Sequence, residues 1–314
     1  VLFIRAAGAT LADPTASQVP NLFWRRWMMF PEPGPRLFSL PPGVDFPQQL
    51  VAGLKARMAD SPPEAMADVR LYVNTARMRR RITDLLTATG AMILPRIHLV
   101  TELARITALP AAVPPLRRRL ELAQVIAGLL DAQPDLAPRA ALYDLADSLA
   151  NLMDEMQGEG VMPHTIADLD VSNHSAHWRR TQSFLQIISP YFADTAAPDS
   201  EARQRLAVQR LEVLWGASPP QHPVIVAGST GSRGTTARFM QLVARLPQGA
   251  LVLPGLDPDT DDSVWAAMSD AMTAEDHPQY RFRHLMNLLE IAPGSIRRWT
   301  GAVAPGAPPP SGFR

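Results

Sequence analysis

Residues Pro223 to Met240 read as a buried strand (Val224-Ile225-Val226-Ala227), a glycine loop (Gly228 to Gly234) and the start of a helix. Few segments restrict a fold as much, because strand, tight loop and helix form the corner of a parallel α/β sheet. It is also the place where nucleotide-binding proteins cradle phosphate. That cradle needs Gly, four residues, then Gly-Lys-Ser/Thr, so that backbone amides and one lysine ammonium hold the phosphates. Counted from Gly228, the second glycine position holds Arg233 and the lysine position holds Gly234. The one lysine of the chain, Lys55, lies in a helix pattern far from this loop. The outline of a phosphate loop is present without its chemistry.

The same alternation occurs earlier. Arg36 to Leu40 reads as a short strand, Pro41 to Asp45 as a turn and Phe46 to about Ala59 as a helix. Val69 to Val73 reads as a second strand. Asn74-Thr75 can cap the next helix, Ala76 to about Thr89, because their side-chain oxygens accept first-turn amides. Ala91 to Leu94 suggests a third strand. From Pro114 to about Trp215 the pattern is helical only, with segments at 116–131, 138–158, 175–193 and 200–215. Leu142, Leu145, Leu149, Leu152, Met153 and Met156 show the three- and four-residue spacing. The α/β pattern then resumes with Val224–Val226, a helix over 235–246 and a strand at Ala250–Leu253. The expectation is an α/β domain over 36–113 and 216–300, interrupted by a helical insertion over 114–215.

Length agrees, since 314 residues suggest two domains or one domain with a large insertion. Net charge is zero, so no global field recruits nucleic acid and any such contact must come from local arginines. The basic residues are 29 arginines and one lysine, read as the codon bias of a GC-rich genome. Absence of cysteine excludes disulfides, cysteine-bound zinc, iron–sulfur clusters and thiol nucleophiles from these residues. No stretch reaches the roughly 18 apolar residues of a membrane span. Residues 1–35 precede the periodic pattern and are taken as an N-terminal extension from an upstream start, with a membrane-surface anchor as the alternative. A cytoplasmic protein is the default. Residues 301–314 read as a disordered or frame-shifted tail.

Other clusters have plainer readings. Asp154-Glu155 follows apolar residues as in a magnesium-binding strand, but the period is helical and Gly158 and Gly160 end it. Asp257 to Asp262 opens like a calcium loop, yet Asp262 and Met268 stand where Gly and Glu are required. These acids read as turn formers and N-terminal charges on a helix containing Trp265. His174 and His177 lack further ligands. Arg77, Arg79, Arg80 and Arg81, and Arg117-Arg118-Arg119, read first as solvated helix faces. For the first group there is also a functional reading. Asn74-Thr75 leading into arginines puts a hydroxyl, helix-terminal amides and cations at one sheet edge, where a nucleic-acid backbone could lie.

Longer phrases carry a resemblance. They are Leu37 to Phe46, Leu71 to Thr75, Ile93 to Ile97, Pro115 to Ala123, Leu142 to Leu149, Met153 to Gly160, Pro223 to Thr236 and Ala274 to Phe282. Together they resemble AddB of the alphaproteobacterial type, partner subunit in the AddAB helicase–nuclease that processes double-strand DNA breaks for recombination. The resemblance implies a RecA-like parallel sheet of a degenerate superfamily-one helicase domain, interrupted by an all-helical insertion. It implies DNA and an AddA-type helicase–nuclease subunit as partners, no membrane, no catalytic residue and no metal. Ser39 to Phe46, with Pro42 and Gly43, would hold the place of the ATP loop without its Gly-Lys-Ser/Thr. Asn74 and Thr75 would fall where such helicases contact single-stranded DNA, with Arg77, Arg79 and Arg80 beside them. Ala227 and Gly228 would stand near the place of the magnesium aspartate, leaving Gly228, Ser229, Thr230 and Gly231 as a vestigial loop. The family's degenerate domain is associated with scanning DNA for a recombination hotspot. Its nuclease half holds an iron–sulfur cluster on cysteines and uses magnesium; these cysteine-free residues imply neither cofactor. Two other readings stand beside it: a nucleotide-binding enzyme in which Arg233 replaces the lysine through bidentate phosphate contact, and a helical protein-interaction module.

Overall fold

The computed structural model describes residues 28–167, 175–193, 197–257 and 259–301. The expectations for residues 1–27, for His174 and for the tail from Ala302 lie outside them, as does the side chain of His177. In chain order the elements are β1 (Leu37–Leu40), α1 (Phe46–Arg57), β2 (Arg70–Val73), α2 (Ala76–Thr87) and β3 (Arg96–Leu99). The helices α3 (Pro115–Ala132), α4 (Leu142–Glu159), α5 (Pro163–Ala167), α6 (Ser175–Ile188) and α7 (Ser200–Ala217) follow. The chain continues with β4 (Val224–Ala227), α8 (Gly234–Ala244), β5 (Gly249–Pro254), α9 (Asp262–Ala267), α10 (Ala271–Ala274), α11 (Tyr280–Leu289) and β6 (Arg297–Arg298).

The six strands form one all-parallel sheet in the order β3-β2-β4-β5-β1-β6. Its central strands are apolar at consecutive positions because both faces are covered. Val224 and Val226 pack with Tyr72, Leu251, Leu253 and Phe239 on one face. Ile225 and Ala227 pack with Leu71, Val73 and Val252 on the other, beneath Leu50 and Leu54 of α1 and Ile82 and Leu86 of α2. The helices α3 to α6 close around a third cluster that includes Leu122, Ile126, Met153, Met156 and Ile188.

Three sequence expectations are corrected. The third strand is Arg96–Leu99, not Ala91–Leu94. Pro95 has no amide for the ladder, which starts where the Arg96 N–H meets the Val69 carbonyl at 2.9 Å, and Ile93 is left exposed. The packed chain begins before Arg36: Phe30 is buried, and its backbone exchanges two hydrogen bonds with the Gln248 amide, at 3.1 and 2.9 Å. The two-residue strand β6 was not anticipated either. It leads into Trp299, whose indole N–H reaches the Leu50 carbonyl at 3.1 Å and whose ring lies so close over Gly53 that a Cβ there would collide with it.

Arg118 is neither solvated nor free. It is buried, with Nε 2.7 Å from Asp199 Oδ1, Nη1 2.7 Å from Glu121 Oε2 and its guanidinium over the Tyr191 ring. Gln157 donates to the other Asp199 oxygen at 3.3 Å, so this group ties α3, α4 and the start of α7 together. Removing one partner of a buried ion pair leaves the other charge uncompensated. Arg118→Ala should therefore lower unfolding free energy by about 3–5 kcal/mol in urea titration. The double replacement Arg118→Met with Asp199→Leu should cost far less.

His98 and His222 sit at the β2–β3–β4 end of the sheet, and both are held below the ordinary 6.5, first by burial and then by Arg70. A lowered histidine binds fewer protons folded than unfolded, so its contribution is present above about pH 6.5 and is lost as pH falls below that value. Stability measured from pH 7.5 down to pH 5 should fall less steeply in the His98→Gln, His222→Gln double variant than in the parent.

Candidate nucleic-acid interface

Because the strands are parallel, the loops after β1, β2, β4 and β5 all leave the sheet at one edge, where open α/β sheets place ligands. β2 and β4 are neighbours with Val73 opposite Ala227, which brings Asn74 beside Gly228. The Asn74 side-chain amide donates to the Gly228 carbonyl at 2.7 Å. Thr75 Oγ1 accepts the Met78 amide at 3.1 Å and so caps α2. Asn74 thus fastens two adjacent loops, and Thr75 caps the helix that follows.

Three amides of the glycine loop and of the helix start that follows it are engaged within the chain. A cradle requires several amides aimed at one point. Here the Gly228 N–H goes to the Val252 carbonyl at 3.1 Å and the Gly231 N–H to Ser229 Oγ at 3.3 Å. The Gly234 N–H, first of α8, goes to Glu159 Oε1 at 2.8 Å. Thr235 Oγ1 donates to the Gly158 carbonyl at 2.9 Å, completing a joint between the end of α4 and the start of α8. Arg233 points out of the loop, with 76% of its side chain exposed and its guanidinium 3.9 Å from Glu201. The alternative that gives Arg233 the lysine's role therefore lacks its geometry.

The loop after β1 repeats the arrangement. Pro42 and Gly43 are exposed, and Asp45 accepts the Gln48 amide at 3.1 Å. Pro47 removes one first-turn donor of α1. At both helix starts a protein carboxylate accepts a first-turn amide, where the helix dipole favours negative charge. Glu159 was missed by sequence reading, since it meets Gly234 across 75 residues and nothing local announces it.

Cations gather on the next helix. Met78, Ile82 and Leu86 turn inward at four-residue spacing, which leaves Arg77, Arg80 and Arg81 outside. Arg81 pairs with Asp45 at 3.4 Å, and Arg79, half-buried, with Glu102 at 3.6 Å. Arg77 and Arg80 have no ion pair among the described residues. The first turn of α2 contains no acid, and cations there oppose the helix dipole by about 0.3–1 kcal/mol each. An external anion would reverse that sign. Among Arg117 to Arg119 nothing comparable remains. Arg117 meets Glu121 at 2.8 Å, Arg118 is buried, and Arg119 grips Asp147 through two bonds of 2.6 and 2.9 Å.

The remaining sequence candidates fall elsewhere. Asp154 and Glu155 lie on the exposed side of α4, and burial and then Asp199 raise the Asp154 carboxyl above its usual range. Asp257 accepts the Asp259 amide at 3.0 Å in a turn before α9, and Asp259 holds Arg298 at 2.8 Å. Among the described residues no group of three or more His, Asp or Glu could hold a metal ion, and no helix is long and apolar enough to cross a membrane. No protein-family model matches this chain, and no curated protein matches it either.

Gly228 decides whether the two loops can fasten. Its φ is +80°, and a Cβ would lie 2.7 Å from the Met78 methyl. The methionine tip can move, so backbone strain dominates, and Gly228→Ala should destabilise by about 1–2 kcal/mol in chemical unfolding.

Proposed function

We propose that this chain is a non-catalytic, helicase-like module of the AddB type, with a RecA-like sheet that has lost its motor chemistry. It binds single-stranded DNA along the carboxyl edge of the sheet. It works in the cytoplasm as partner of an AddA-type helicase–nuclease in recombinational repair of double-strand breaks. The observation that carries this reading is the division of charge at that edge. Asp45 and Glu159 fill the two helix starts where nucleotide phosphates would sit. Arg77 and Arg80, one turn beyond Asn74-Thr75, keep exposed guanidinia. A nucleic-acid backbone supplies anions in series and needs no single cradle, so it suits the second arrangement and not the first. The phrases from Leu37 to Phe282 that resemble AddB support the same reading.

Two arginines on the phosphates of a single strand correspond to a log–log salt slope of about −1.4. Arg77→Ala with Arg80→Ala should weaken binding of a single-stranded oligonucleotide, measured by fluorescence anisotropy at low salt. The same pair should bring the slope about 1.4 closer to zero. Arg117→Ala should leave both values unchanged. Unaltered affinity and slope in the double variant would sink the interface. Hydrolysis of ATP that scales with the amount of purified protein would sink the non-catalytic reading, and failure to co-purify with an AddA-type subunit would sink the partner.

A further inference from the structure

A second arginine group lies at the opposite edge of the sheet. There a cavity of about 250 Å³ is lined by residues preceding β1, by the last turn of α1 and by β6. Arg36, Arg57, Arg297 and Arg298 face it, with Glu32 as the one acid in its wall. Arg298 is held outside by Asp259 at 2.8 Å, and Glu32 pairs with Arg297 at the exposed rim.

Arg36 and Arg57 have only neutral partners. Arg36 is 7% exposed. Its Nη1 donates to the carbonyls of Leu246 and Gly249 at 3.3 and 3.0 Å, and its Nη2 to those of Pro247, at 3.0 Å, and Glu32. Its Nε is buried with no acceptor. Arg57 Nη1 donates to the Gly53 and Trp299 carbonyls at 3.0 and 2.8 Å, and the guanidinium lies 3.7 Å from the centre of the Trp299 ring. Carbonyls and ring faces solvate a guanidinium without cancelling its charge. Burial lowers both arginines from their ordinary value; at Arg36, Arg297 adds repulsion and Glu32 offsets part of it. A buried cation without a counterion is costly, and an unmet buried donor adds to that cost.

We propose that this cavity is a binding site for a phosphate-class anion, held between Arg36, Arg57 and Arg297. The wall carries two cations in excess of its acids once Asp259 and Glu32 are set against Arg298 and Arg297, which suits a dianion better than a carboxylate. Guanidinium forks match tetrahedral oxyanions through paired N–H donors. The volume lies below the roughly 300–1,000 Å³ of cofactor-sized sites, so the occupant is a free phosphate or a phosphomonoester end, not a whole nucleotide. The site lies across the sheet from Arg77 and Arg80 and does not depend on the function proposed for them.

Titration of the full chain with inorganic phosphate, followed by arginine Nε–H resonances in NMR and by calorimetry, tests the site. Saturable binding at about millimolar concentration or tighter is expected, with the Arg36 Nε–H signal shifting and acetate giving no saturation. Arg297→Ala, a change at the exposed rim, should weaken binding about tenfold or more, and Glu32→Gln should tighten it. Arg57→Gln should abolish binding, and if that variant does not fold, the opposed responses at Arg297 and Glu32 still decide. A 5′-phosphorylated oligonucleotide that competes with phosphate, where its unphosphorylated form does not, would assign a strand end as the source. Competition by neither would assign free phosphate. Absence of saturable binding, or equal affinity in the parent, Arg297→Ala and Glu32→Gln proteins, would overturn the proposal. Arg77→Ala with Arg80→Ala should leave phosphate affinity unchanged, which separates this outcome from failure of the DNA interface.

Discussion

In a parallel sheet every strand points the same way, so each connection must leave at one edge and return at the other. This rule assigns the loops after β1, β2, β4 and β5 to one side of the molecule and the cavity bearing Arg36 and Arg57 to the other. It also makes the route from β3 to β4 a crossover, and here that crossover has grown into a helical layer with its own apolar cluster. The layer does not hang from a flexible tether. Glu159 on the Gly234 amide and Thr235 on the Gly158 carbonyl fasten it to α8. The insertion is thereby joined to the end of the glycine loop, where Glu159 accepts the Gly234 amide.

That joint places a carboxylate at the start of α8. Loss of a lysine alone would leave a weakened loop still able to accept an anion through its amides. A carboxylate at the helix start goes further, because it repels the ligand and satisfies the donor that would bind it. Asp45 does the same at α1 and also neutralises Arg81. What remains positive at this edge is the pair Arg77 and Arg80 on α2.

How much of this was legible in the sequence depended on the range of the interaction. β1, β2, β4 and α1, α2 and α8 announce themselves through apolar runs, a capping threonine and glycine loops, all of them local signals. β3 was misplaced by a few residues because Ala91 to Leu94 is apolar, whereas the deciding fact is that Pro95 cannot donate and the ladder begins after it. Arg118 looks like its neighbours Arg117 and Arg119 until Asp199, 81 residues away, folds against it. Phe30 with Gln248 and Trp299 with Leu50 are likewise bonds across more than 200 residues. Candidate site residues were legible as types and spacings. Their availability was not, since Asn74 is already engaged in holding two loops together and Thr75 in capping α2.

Arg118 and Arg36, both buried, and Arg238, partly exposed, show why availability matters more than identity. Arg118 is neutralised by Asp199 and Glu121, so its energetic role is complete within the chain. Arg238 is likewise complete with Glu212. Arg36 is engaged through four carbonyls and still leaves one donor unmet, with no carboxylate bonded to its guanidinium among the described residues. Carbonyls could hold a neutral amide in its place at far lower desolvation cost, because a buried charge is the expensive part. A guanidinium at that position is therefore poorly explained by packing alone. An anion arriving in the adjoining cavity supplies the missing half of the interaction, as Asp199 does for Arg118 from within the fold.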